Sequence, residues 1–298
     1  MQKLLVVGPA DQRAFHERII SEKTKWTYSG HFDNGTGKVF LPGSDSGIHI
    51  KYDEILSNHD NLFFINSAPL PFWEIETAIK RARNIFIENL HTLNSEQLQT
   101  ISKLLPEIKS TCMAGNLSMF PQDTLKHILP PASPRIIHVN RGIDLTPENI
   151  NLVLGETIEL VYWLAQAECK KTEAININTM NHRFDTLDAK ITFHDASVVH
   201  ILIHPPFPNL KYTLSVFQNN GLISADLLGK KLLLLIGNNK YTHNIHTYSR
   251  QEKTALDLTR FLKNIDHPVS FQEFMEKIGP TEILHTLLAK IKRISVME

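Results

Sequence analysis

Cysteine is nearly missing from this chain of 298 residues: Cys112 and Cys169 are the only two. That is too few for a disulfide framework or a thiolate metal site, and it suits a reducing cytoplasm. Net charge is missing too. Lys plus Arg and Asp plus Glu both number 31, so no long-range field gathers a nucleic acid or an anionic membrane, and neither is expected as a partner. Long apolar runs are also absent. The run from Leu232 to Ile236 cannot span a bilayer, and Leu4 to Val7 is too short for a signal peptide, so a soluble, unexported protein is expected. The motifs Gly-x-Ser-x-Gly, Gly-x-x-x-x-Gly-Lys-Ser/Thr and His-Glu-x-x-His do not occur, which removes the simplest marks of a serine hydrolase, a P-loop enzyme and a zinc protease. The 15 histidines do not make up for this. His200 and His204 would lie about 13 Å apart along a strand, His243 and His246 lack a third ligand, and no metal is expected.

What is present is an ordinary globular composition, 42% hydrophobic and 21% charged, in a chain long enough for two cores. Leu4 to Val7 reads as a buried strand ended by Gly8, followed by a helix bearing Phe15, Ile19 and Ile20. Strands at Trp26 to Phe32, Leu62 to Asn66 and Ile85 to Ile87 alternate with helices at Trp73 to Arg83 and from a cap at Ser95. Strand, helix, strand implies parallel pairing, hence a doubly wound sheet over residues 1–115. From 116 to 298 the character changes. Thr146-Pro147-Glu148 opens a helix that runs to about Ala167. Apolar runs at Ala174 to Met180, Leu187 to Phe193, Val198 to His204, Lys211 to Phe217, Leu222 to Ala225 and Lys231 to Ile236 then predict a mainly antiparallel sheet. Two closing helices follow, the second opening on a capping box from Ser270 to Glu273 and interrupted at Gly279-Pro280. Alternation places Ile175, Ile177, Ile191 and Phe193 on one apolar sheet face, and Leu232 to Leu235 make both faces of their strand apolar. A homo-oligomer joined through the C-terminal sheet is therefore expected.

Several marks, in this order, carry a resemblance: Leu5-Val6-Val7-Gly8 with His16 eight residues on, Ser67-Ala68-Pro69, Ile87-Glu88-Asn89, and Asp188-Ala189 through Asn220-Gly221-Leu222-Ile223 to Asp226. Together they resemble the Gfo/Idh/MocA family of glucose–fructose oxidoreductase and inositol dehydrogenase relatives, over nearly the whole chain. The resemblance implies an α/β protein with an N-terminal Rossmann-type dinucleotide-binding domain and a C-terminal α+β domain carrying an open, mainly antiparallel sheet. It implies NAD or NADP as cofactor and a small polyhydroxy or sugar-like substrate.

The departures bear on function. A dinucleotide turn uses three glycines for the tight bend, the approach of backbone to pyrophosphate and the packing of helix on strand. Here Gly8, Ala10 and Arg13 stand there, with Pro9 lacking an N–H and Asp11 adding negative charge. Arg13 could hold a phosphate itself. Asp33, 25 residues after Gly8, suits a ribose hydroxyl and NAD, or is a turn aspartate in Asp33-Asn34-Gly35. Ser67, Pro69 and Glu88 complete the cofactor-binding candidates. The family's catalytic lysine position reads Asn89, and its histidine position reads Glu156 with Leu152 where the orienting acid belongs; Trp73 stands where relatives often have histidine. Asn89 cannot supply a cation to a developing alkoxide, and Glu156 could take a proton only if burial raised its pKa. A second polar cluster, His138, Asn140 and Arg141, ends a strand, with Arg141 at its tip. Two functions stay open: an NAD(P)-dependent oxidoreductase with eroded motifs, and a non-catalytic ligand-binding or oligomeric interaction protein that keeps the fold.

Overall fold

The structure is a computed structural model that describes residues 2–65, 72–108, 111–115, 134–146, 149–177, 186–206, 209–219, 221–266 and 271–296. In chain order the elements are β1 (Lys3–Val7), α1 (Arg13–Lys23), β2 (Thr27–Asp33), β3 (Lys38–Phe40), β4 (Gly47–His49), α2 (Tyr52–Asn58), β5 (Asn61–Phe64), α3 (Phe72–Lys80), β6 (Asn84–Ile87), α4 (Ser95–Leu104) and β7 (Cys112–Ala114). There follow β8 (Ile136–Gly142), α5 (Ile150–Ala165), β9 (Cys169–Ile177), β10 (Thr186–Phe193), β11 (Val198–His204), β12 (Lys211–Gln218), β13 (Gly221–Asp226), β14 (Lys231–Ile236), β15 (Asn239–Asn244), α6 (Arg250–Asp266) and α7 (Phe271–Val296).

Two compact units result, Met1–Asn116 with Ser249–Ile278, and Leu117–Tyr248 with Gly279–Glu298. The single cut expected at residue 115 is thus followed by a return, because α6 completes the first unit. Trp26 donates its indole N–H to Leu258 O at 2.8 Å and stacks on Phe261 at 5.5 Å, and the Thr111 hydroxyl donates to Asn264 O. Helix α6 thus shares with α1 the cover of one face of the first sheet.

That sheet runs β4-β3-β2-β1-β5-β6-β7. From β2 to β7 all pairings are parallel, while β3 and β4 add an antiparallel edge that the sequence reading did not expect. Alternation along β1 explains the two cores. Leu4 and Val6 pack with Ile20, Phe63, Phe86, Leu258 and Phe261, whereas Leu5 and Val7 pack with Phe64, Ile75, Ile79, Leu98 and Ile101. Each of these fully buried side chains contributes about 1.5–3 kcal/mol relative to exposure. Helix α4 starts at the expected cap residue Ser95, and its cap is Asn94, one residue earlier: Asn94 accepts from the Gln97 N–H at 2.9 Å, and Gln97 accepts from the Asn94 N–H.

The second unit holds the eight strands β15-β14-β13-β12-β8-β11-β10-β9, antiparallel except for β8 beside β11. Ile137, Val139, Val199, Ile201, Leu214 and Val216 meet Leu154, Ile158, Leu164, Leu284 and Leu287, so α5 and the later turns of α7 cover one face. Arg135, 1% exposed, closes α5 by donating to Leu164 O at the end where the chain turns left-handed at Gln166. Helix α5 begins at Ile150, with Thr146 and Asn149 exchanging side-chain hydrogen bonds before it; Pro147 and Glu148 lie outside the described residues. Helix α7 is not interrupted at Gly279-Pro280. It runs on through Pro280, and Gly279 leaves room for the Tyr162 ring, where a Cβ would sit 2.5 Å from its hydroxyl.

The expected apolar face is corrected. Ile191 and Phe193 are buried under the helices, but Ile175 is 61% exposed. Ile191 pairs with Thr172 and Asp188 with Ile175; a hairpin whose partner numbers sum to an odd value exchanges odd for even positions across the strand pair. The open face carries Ile136, Phe217, Leu222 and Leu235 in one cross-strand row instead. No helix among the described residues is long and apolar enough to cross a membrane.

Candidate functional site

In open α/β sheets, ligands bind beyond the carboxyl ends of the strands where the strand order reverses. In the first unit that place is between β1, which leads to β2 on one side, and β5 on the other. The turn after β1 is stitched to both neighbours: the Gly8 N–H donates to Phe32 O and the Ile65 N–H to Val7 O, each at 3.0 Å. Gly8 has φ +150, and a Cβ there would lie 2.4 Å from Ile65 Cγ1 and 3.0 Å from Ile65 O. Glycine is therefore required by conformation and by space. Pro9 leads into a turn of 3-10 helix, Ala10–Gln12, from which α1 starts without a side-chain cap.

The side chains around this turn are engaged. Arg13 donates to Ser44 O at 2.7 Å and pairs with Asp45 at 2.5 Å, with Phe40 beneath its guanidinium. Asp45 is almost wholly exposed, so this ion pair adds little stability, but it turns Arg13 toward the β3–β4 loop. The Asp33 carboxylate accepts from the Gly35 N–H at 3.1 Å and from the Thr36 hydroxyl at 2.7 Å, the geometry of a turn aspartate. Glu88, at the end of β6, has His16 Nε2 at 3.9 Å and the Arg250 guanidinium at 3.6 Å. Asn89 accepts from the His91 N–H at 2.9 Å and so caps a short 3-10 turn. Ser67 and Pro69 lie outside the described residues. Trp73 is half exposed and meets Tyr52 edge-on.

Two groups at this turn escaped the sequence reading. His31 donates from Nε2 to Gly8 O at 2.8 Å, and burial holds its pKa below the usual histidine value despite that bond. Arg250 lies over the Phe15 ring at 4.9 Å. Neither had a sequence signal, since His31 reads as a strand residue and Arg250 as the opening of a distant helix.

In the second unit Arg141 and Glu156 come together. Arg141 donates to Glu156 Oε2 at 2.8 Å, to Val153 O at 3.1 Å and to Thr157 Oγ1 at 3.2 Å, and the Tyr212 ring lies 4.4 Å from its guanidinium carbon. Burial first, and then the Glu156 carboxylate, push the Tyr212 phenol up, so it stays a hydroxyl. Leu152 is 53% exposed on the same helix. His138 and Asn140 leave from the opposite sheet face, so the expected cluster with Arg141 is split by strand alternation. No three His, Cys, Asp or Glu side chains gather for a metal among the described residues.

No family model matches the chain, and no curated protein matches it in sequence. Solved structures match it in fold, among them dehydrogenases and reductases. UDP-N-acetylglucosamine 3-dehydrogenase from Acidithiobacillus ferrooxidans superposes with a TM-score of 0.79 at 16% identity, over 97% of both chains. A Gfo/Idh/MocA family oxidoreductase from Vibrio cholerae gives 0.73 at 9% identity over 100% of both chains. Biliverdin reductase from Synechocystis, in complex with biliverdin and NADP+, gives 0.69 at 8% identity, over 96% of this chain and 98% of that one. The chain has the Gfo/Idh/MocA fold, as its sequence resemblance implied.

The residues of the turn can be tested against a dinucleotide. Its backbone fits, because Gly8 lets the chain turn tightly against Ile65 and the first turn of α1 offers the positive end of a helix. Its side chains fit less well: Pro9 offers no N–H, Asp11 repels a phosphate, and Arg13 points to Ser44 and Asp45.

Proposed function

We propose that the protein is a divergent NAD(P)-linked oxidoreductase of the cytoplasm, acting on a small polyhydroxy or sugar-like substrate and holding its cofactor weakly. The whole-chain match to a UDP-N-acetylglucosamine 3-dehydrogenase supports this reading most. A nicotinamide dinucleotide, when bound, supplies the hydride acceptor or donor. Gly8, Ala10 and the first turn of α1 would hold its pyrophosphate, with Arg13 released from Asp45 to join them. Asp33, Ser67, Pro69 and Glu88 would line the remainder, and Asp33 favours NAD. Asn89 can orient a substrate hydroxyl by hydrogen bonding but carries no charge to offer an alkoxide. Glu156 takes the family's histidine position only by the resemblance, and its carboxylate is already matched by Arg141. Slow turnover follows.

The engagement of Asn89 in a cap and of Glu156 in an ion pair favours a second reading, a non-catalytic binding or interaction protein that keeps the fold. One titration separates them. NADH and NADPH are added to the full chain and followed by nicotinamide fluorescence, beside a variant carrying Arg13→Gly and Asn89→Lys. If the site is eroded, the wild type binds weakly and the variant about tenfold more tightly, a change of about 1.4 kcal/mol. Equal, negligible binding by both chains would sink the oxidoreductase reading.

The open sheet face supports the assembly reading. Eight strands at about 4.8 Å spacing, each about 20 Å long, present roughly 700 Å² per copy, and two such faces make about 1,400 Å², within the range of a stable interface. Ile136, Phe217 and Ile175 are 49%, 43% and 61% exposed there, an apolar share that self-association would remove from water. We infer a homodimer through this face.

A further inference from the structure

We propose that pairing of two copies through this sheet face is switched off by acid, and that the switch is the in-register histidine pair His138 and His200. The inference rests on the assembly reading above. Strands β8 and β11 run parallel with His138 directly beside His200. Their rings are 5.2 Å apart and inclined at 51°, and Phe217 meets His138 edge-on at 5.6 Å. Strand β8 is the fifth of the eight, so the pair sits near the middle of the face.

The neighbours offer no relief for positive charge. Lys190 of β10 is in register with His200 on its far side. Ser215 of β12 is in register with His138, and Ser224 of β13 lies beyond it. One step along the strands, Asn140 Oδ1 accepts from His204 Nε2 at 2.9 Å, with Leu202 and Thr213 beside it. One step the other way lie Val198 and Ile136, with Thr192 beyond them. The carboxylates of the face are Asp188, which pairs with Leu202, Glu173, which faces Lys190 and is bound to Lys171 at 2.6 Å, and Asp226, which lies in register with Thr213 and Lys231. None of the three is in register with His138 or His200. The helices of the unit pack on the opposite face. Partial burial and the adjacent His200 hold the His138 pKa below the usual value.

Neutral rings against Phe217 suit an interface that excludes water. Protonated, the pair becomes two cations about 5 Å apart with Lys190 alongside, and a dimer would bring four imidazolium groups into one dehydrated patch. Burying unpaired charge is costly, and the like charges repel most strongly where water is gone. Protons therefore bind the separated copies better than the dimer, and mass action dissolves it as pH falls through the histidine range.

Sedimentation velocity on the full chain at 150 mM salt tests this at pH 7.5 and 5.5, for the wild type and for His138→Gln/His200→Gln. The dimer dissociation constant of the wild type should rise at least about tenfold at the lower pH, reversibly, and that of the variant less than about twofold. A wild-type dimer equally tight at both values overturns the switch but leaves the assembly reading standing, as does a variant that keeps the full acid response. A wild-type monomer at both values overturns the assembly reading and the switch together. Should the variant fail to pair at pH 7.5, ring NMR of the wild type decides: His138 and His200 must titrate lower in concentrated than in dilute samples, and identical titrations overturn the switch.

Discussion

Replacing Gly8 with alanine should lower the stability of the first unit by about 2–4 kcal/mol and its melting temperature by roughly 5–10 °C. Two costs combine. The residue sits at φ +150, where a side chain is strained whatever its surroundings, and the new Cβ would meet Ile65 Cγ1 at 2.4 Å and Ile65 O at 3.0 Å. Ile65 cannot simply step aside, because its N–H is bound to Val7 O and its side chain is 1% exposed among Trp26, Phe63 and Phe86. The strain would also pull Gly8 O from His31, leaving a buried imidazole with neither nitrogen bonded. Differential scanning calorimetry of the Gly8→Ala chain reads the effect, and a loss below about 1 kcal/mol would mean that the end of β5 yields. Any NADH binding should vanish with it, since the same glycine sets the approach to a phosphate.

Elements with a core face were legible. Lys231–Ile236 is a strand within the bounds that its leucines mark, and the turns before Gly221 and after Asp226 separate neighbours as short connections require. Elements without one were not. Lys38–Phe40 and Gly47–His49 have three residues each, and Asn239–Asn244 is exposed throughout at the sheet edge, so no alternation marks them. Long-range closure was equally hidden: Trp26 and Leu258 are 232 residues apart, and nothing in either segment names the other. The site follows the same rule. Gly8, Arg13, Asp33, Asn89 and Glu156 could be placed by motif and spacing, but Ser44 and Asp45 for Arg13, the His91 N–H for Asn89 and Arg141 for Glu156 are set by tertiary approach. Those partners decide whether a side chain is available for chemistry.

Replacing Glu74 with glutamine should stabilise the first unit at pH 8 by about 2–3 kcal/mol and leave it nearly unchanged at pH 4.5. Glu74 lies in the first turn of α3 and is 2% exposed, and one carboxylate oxygen has no hydrogen-bond partner; its main-chain carbonyl, not its side chain, accepts from Tyr52. Burial raises its pKa to about 7 from 4.5. Between those values the unfolded chain has released this proton and the folded chain still holds it. The folded state therefore binds more protons, and stability falls as pH rises from about 4.5 to about 7, then levels once both states are ionised. Glutamine is uncharged throughout and escapes the fall, although its amide must find partners in the same site. Thermal melts of both chains at half-unit pH steps measure the difference, which should open across that window and stay constant above it. A gap independent of pH would show that the carboxyl reaches water in the folded protein. A gap that opens and then closes above pH 7 would mean instead that an unsuspected cation pairs with the ionised carboxylate, since only added stabilisation of the charged form could restore what burial removes.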